Sequence, residues 1–168
     1  VDGAARIPLF VSKALTFGLV SLAQSLIVVT LLVYALGLEV QSISLFYLYT
    51  VLAGLTFMFL VQAIVTWLDL PGRFVVLLLL IFQLVSSAGT FPLELLPDWA
   101  KAMNPCLPMT YGIRGFRDVI NSGDYHDMWN QASRLSVYLV VSLILTCIYF
   151  LRKQKGAPEE EQLMPVKV

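Results

Sequence analysis

Four uncharged stretches constrain this chain more than any motif does. No Asp, Glu, Lys or Arg falls within 14–38, 40–68, 74–93 or 135–151. A helix needs about 20 apolar residues to cross the hydrocarbon core of a bilayer. Backbone groups cannot be left unpaired at that depth, so the segments that fill it are helices. The sequence therefore predicts an all-α integral membrane protein with four transmembrane helices, near 14–37, 43–67, 73–91 and 132–151. Only 13% of the 168 residues are charged, against about 25% in an ordinary soluble domain. Formal net charge is zero, so the charge balance does not suggest nucleic acid as a partner.

The charges that exist are placed unevenly. Arg6 and Lys13 precede the first span, Arg73 lies between the second and third, and Arg152, Lys153 and Lys155 follow the fourth. Four crossings put all six on one side. The first turn, around Glu39, falls on the other side with 92–131, where Lys101, Arg114 and Arg117 meet five acidic residues. By the positive-inside rule, both ends of the chain are cytoplasmic in a plasma membrane and 92–131 faces outward. Residues 1–13 read as a cytoplasmic interfacial helix, with Ile7, Phe10, Val11 and Ala14 at helical spacing. Residues 152–168 read as a polar cytoplasmic tail. The sulfurs of Cys106 and Cys147 fall at different depths, out of disulfide reach.

The stretch SSAGTFPLELLPDWAKAMNPCLPMTYGIRGFRDVI, residues 86–120, is half apolar yet holds four prolines. Pro92 and Pro97 are expected to end the third span. Pro97 also suits the first turn of a new helix, whose apolar face is Leu96, Trp99, Ala100 and Met103. Asn104 and Pro105 stop it. Pro108 opens a second helix, with Met109, Ile113, Phe116 and Ile120 on one face. Thr110, Arg114, Arg117, Asp118 and Asn121 lie on the other. Asn121, Ser122 and Gly123 end this helix, and Asp124 is placed to cap the next. The segment 92–124 is thus an outer hairpin of two short amphipathic helices. They lie flat on the leaflet or dip in as a shallow re-entrant element, the arrangement we favour.

This stretch resembles the signature near the C-terminus of the YhgE/Pip ("phage infection protein") family of Gram-positive membrane proteins. Gly89, Thr90, Phe91, Pro92, Glu94, Pro97, Pro105, Leu107, Pro108, Thr110, Tyr111, Arg114 and Arg117 stand in matching places. Ala88 stands where the family pattern often has glycine. That family is similar to permeases of ABC exporters of the second type. The resemblance implies a C-terminal piece of a longer protein, with further spans and a large extracellular region upstream. It also implies short re-entrant helices before the last span, and a separate nucleotide-binding ATPase contacting the region of residues 1–13.

The candidate outer gate comprises Gly89, Thr90, Phe91, Pro92, Pro105, Pro108, Tyr111, Arg114 and Arg117. Arg114 and Arg117 suit a lipid phosphate, a substrate headgroup or a partner, or else a solvated face with an Asp118 contact. Gln24, Gln62 and Gln83 are candidate polar intramembrane residues. They either line a substrate path or, more simply, bond between helices. Ala14, Gly18, Ser21 and Ser25 form a small-residue stripe suited to close packing. His126 has no second base or nucleophile near it in sequence, and no phosphate-cradling or metalloprotease motif is present. The expected function is therefore a non-enzymatic, permease-like membrane domain without cofactors. Its expected partners are the lipid bilayer, a separate ATPase and a second copy of itself. The alternative is a non-transporting anchor for an extracellular receptor or a secretion apparatus.

Overall fold

The computed structural model describes residues 3–89 and 91–155, with side chains for 8–89 and 91–152. Thr90, the first two residues and the tail from 156 lie outside the described residues. Every described element is helical: α1 (Gly3–Thr30), α2 (Ile43–Ser86), α3 (Asp98–Met103), α4 (Pro108–Arg117) and α5 (Tyr125–Lys155), with short 3-10 and π turns between them. Among the described residues, three helices are long and apolar enough to cross a membrane: Pro8–Ala35, Ile43–Ser86 and Tyr125–Arg152. The first contains residues 8–13, which continue into the span without a break. A π turn, Leu31–Ala35, ends it, and Gly37 leaves the helix at φ 66.

As a straight rod, the 44 residues of α2 would reach about 66 Å, twice the bilayer core of about 30 Å. They are not straight. Asp69 breaks the helix with φ 51 and ψ −122, a region disfavoured for L-residues. Pro71 follows in the first turn of the second arm, where its missing N–H is no loss. A Cβ on Gly72 would come within 2.9 Å of the Ile64 carbonyl and 3.0 Å of Val65 Cα. That approach, eight positions back along the chain, exists only because the chain doubles over. The far ends agree: Tyr49 and Gln83, about 50 Å apart on a straight rod, both bond to the same turn of α4. The arms 43–68 and 70–86 therefore run back along each other.

The third apolar run ends as helix earlier than the prolines suggested. The helix stops at Ser86, and Ala88 takes φ 59, so the exit is made by small residues several positions before Pro92. At the other boundary, Asp124 Oδ1 accepts from the Asp127 amide at 3.2 Å and caps α5, the placement read from the sequence.

Burial inverts the soluble pattern. On α1, Ser21, Ser25 and Val29 are buried, while Leu15, Leu19 and Ile27 are exposed. A Cβ on Gly54 would sit 2.7 Å from Ser25 Oγ and 2.9 Å from Ser21 Oγ, so the two backbones meet across the small-residue stripe. Lipid tails are as apolar as leucine, and helix contact in a membrane rests on such close approach. The shared core is Val29, Phe46, Tyr49, Ala53, Tyr111, Val119, Met128, Ala132 and Leu135. Phe10 stacks near Phe150 at 5.6 Å, and Lys13, Asp69 and Tyr149 line one depression. The start of α1, the Asp69 turn and the end of α5 thus share one end of the bundle. Residues 87–124 close the other.

Candidate functional site

The segment 87–124 is organised by one residue that the sequence marked only as a stop signal. Asn104 is 3% exposed. Its amide nitrogen donates to the Ser86 carbonyl at 2.6 Å, one of the carbonyls a helix end leaves unpaired. Its own carbonyl accepts from Thr110 Oγ1 at 2.6 Å, and its Oδ1 accepts from Arg114 at 3.5 Å. Asn104 therefore ties the end of α2 to the start of α4. Gln83 assists from α2, its Oε1 accepting the free amide of Met109 at 3.3 Å.

Helix α4 buries a different face from the one its large apolar residues suggested. Thr110, Tyr111, Gly112, Gly115 and Val119 are buried, whereas Met109, Ile113, Phe116 and Ile120 are half-buried flanks. The cause is Tyr49. Its hydroxyl donates to the Tyr111 carbonyl at 2.6 Å, and its ring fills the space where a Cβ of residue 115 would stand. Phe116 meets the same ring edge-on, 4.9 Å between centroids. The α3 face also divides. Leu96 and Ala100 are buried, while Trp99 is 50% exposed and stacks edge-on against Phe82 at 6.1 Å.

The predicted gate residues separate into two groups. Gly89, Phe91, Pro92, Arg114 and Arg117 line one cleft of about 430 Å³, together with Ser87, Ala88, Leu93, Glu94, Asn104 and Ile113. Arg117 donates to the Ala88 carbonyl at 3.0 Å, holding the residue whose positive φ explains why glycine suits that place in the family pattern. Pro105, Pro108 and Tyr111 do not line that cleft. Pro108 is buried at the first turn of α4. The Tyr111 hydroxyl donates to the Pro105 carbonyl, and the Arg134 guanidinium lies 5.1 Å over the Tyr111 ring. Tyr138 donates to the Cys106 carbonyl at 2.7 Å, joining α5 to the same linker.

The three glutamines are not brought together. Gln24 is exposed on α1, Gln62 is half-buried, and Gln83 is buried in the clamp on α4. Gln62 Oε1 is buried without a hydrogen-bond partner, beside Lys13 and Thr66. Sequence reasoning missed Asn104, Tyr49, Gly115 and Tyr138. The one available signal was an asparagine before proline between two helices; the others look like ordinary apolar sequence.

Beside the cleft, Asp118 has its carboxyl raised above the usual carboxylate range. Loss of hydration is the largest cause, the Ser122 hydroxyl opposes it, and Asp127 and Asp124 add to it.

Comparison with known proteins accords with this architecture. The family model described as ABC-2 family transporter protein matches residues 1–151. The chain is 43% identical over 154 residues to "Uncharacterized protein YhgE" of Bacillus subtilis (strain 168). That match covers 91% of this chain and 20% of YhgE, so the chain spans about a fifth of that relative's length. No solved structure matches it. With multi-pass apolar helices and a family match over nearly its whole length, the chain belongs to the ABC-2 family of transporter proteins as a permease-like membrane domain.

Proposed function

We propose that the chain is the membrane-embedded part of an export system, crossing the bilayer four times, with the two arms of α2 as separate crossings. Residues 87–124 form a shallow re-entrant element at the outer face, and the cleft with Gly89, Phe91, Arg114 and Arg117 shapes the exit. Both ends of the chain and the Asp69 turn are cytoplasmic. A separate ATPase meets the end of the bundle that carries Lys13 and Arg73, and two copies of the chain form the translocating unit. The observation that supports this reading best is the double clamp of the outer segment. Tyr49 on one arm and Gln83 on the other grip the first turn of α4, so a change in the angle between the arms would be felt directly by the hairpin. An actuator of that kind suits a pathway driven from the opposite end.

The test is site-specific photocrosslinking in cells from Lys13 and, as a control, from Trp99. The expected result is capture of a nucleotide-binding ATPase from Lys13 and not from Trp99, with ATP hydrolysis stimulated in the purified complex. Capture of cell-envelope proteins alone, with no ATPase at either end, would replace the exporter by the anchor or receptor reading.

A further inference from the structure

We infer that the cleft between the end of α2 and α4 binds a phosphate-bearing anionic headgroup at the outer membrane interface. Two cationic side chains, Arg114 and Arg117, line it from consecutive turns of one helix. Each spends one donor within the protein, on Asn104 and Ala88 respectively. A guanidinium has five, arranged as a fork that matches phosphate oxygens. Ser87 supplies the second, independent feature. It is 3% exposed and lines the cleft, and its Oγ is buried with no partner. A buried hydroxyl left unpaired is destabilising, a cost that a bound acceptor oxygen would remove. Gly89 beside it is closely packed by Ile113, which leaves no room for a side chain there. A Cβ on Gly89 would stand 2.5 Å from Ile113 Cδ1 and 3.5 Å from Ser87 Oγ.

Depth selects the ligand class. Trp99 and Trp129 are each half exposed at this end of the bundle, as aromatic residues are at the headgroup level of a bilayer. Phe91, 59% exposed, gives the cleft an exposed apolar lip. Phosphate is the anion concentrated at that depth. Glu94 also lines the cleft and opposes an anion, leaving two cationic groups against one carboxylate. A volume of about 430 Å³ falls in the usual range of small-ligand sites, roughly 300–1,000 Å³.

The inference is independent of transport; it requires only that the segment 87–124 meet the interface. The full chain is placed in phosphatidylcholine nanodiscs containing phosphatidylglycerol, and retained phosphatidylglycerol is counted by native mass spectrometry after detergent extraction. Arg117→Gln and Arg114→Gln should each lower retention about tenfold, the scale of one charge-assisted hydrogen bond. Ser87→Ala should lower it a few-fold, and Glu94→Gln should raise it. Displacement by inorganic phosphate would assign the site to free phosphate; resistance to it would assign the site to the lipid. Equal retention in wild type, Ser87→Ala and Glu94→Gln would overturn the inference. Neither of those two changes removes a bond that holds the hairpin, so folding failure of the arginine variants would not obscure the result.

Discussion

The Tyr49 ring occupies the volume that any side chain at Gly115 would need, and its hydroxyl closes the contact on the Tyr111 carbonyl at 2.6 Å. One arm of α2 is thereby joined to α4 by a lock-and-slot that admits no Cβ.

Gly115→Ala should be destabilising by about 1–3 kcal/mol, the usual cost of overpacking. Tyr49→Phe keeps the ring but removes the bond to the Tyr111 carbonyl, at about 0.5–1.5 kcal/mol. In a double-mutant cycle, Gly115→Ala should cost far less on a Tyr49→Ala background, because the clash is gone. Thermal unfolding in detergent measures all four corners. Additive effects would show that the two residues do not share this slot.

Asn104→Ala should loosen the outer segment without disturbing the bundle. It removes the donor to Ser86 and the acceptor for Arg114, a loss of about 1–3 kcal/mol. Hydrogen exchange should quicken at Leu107 and Thr110, whose amides close the turns leading into α4, and stay unchanged at Tyr49 and Leu135. Uniform exchange across the chain would remove Asn104 from its organising role.

Asp118 gives the segment a pH dependence of defined sign. Its folded pKa lies above the ordinary 3.8, so the folded state holds the proton more tightly than the unfolded state. Stability contributed by this group is therefore highest below that ordinary value. It is lost as pH rises from there through the raised value. Asp118→Asn, which cannot ionise, should flatten the melting temperature against pH across that window and raise it at neutral pH. Asp127 and Asp124 face the same carboxyl, so each neutral variant of those should shift the midpoint of the change downward. A wild-type profile indistinguishable from Asp118→Asn would contradict the assignment.

Topology can be read from the native thiols. Cys106 is exposed on the linker between α3 and α4, and Cys147 is half-buried in α5. In intact cells a membrane-impermeant maleimide should label Cys106. An Asp69→Cys variant lacking Cys106 should label only after the membrane is opened. Labelling of both sites from outside would mean that the Asp69 turn does not reach the far side.

The uncharged runs, the turn around Glu39 and the Asp124 cap were legible in the sequence. Each depends on local chemistry: the absence of charge, an isolated acidic residue or a short carboxylate. Which faces meet was not legible. In water, large apolar residues mark the inside; in lipid they are at home on either side, and the signal disappears. Met109, Ile113, Phe116 and Ile120 therefore pointed to the wrong face of α4. Asn104, Gln83 and the Tyr49–Gly115 slot depend on groups far apart in the chain that meet only after α2 folds back. The sequence determined that this chain lies in a membrane and which long apolar runs are helical. The tertiary structure alone decided that small and polar residues form its contacts, because there close approach and hydrogen bonding hold helices together.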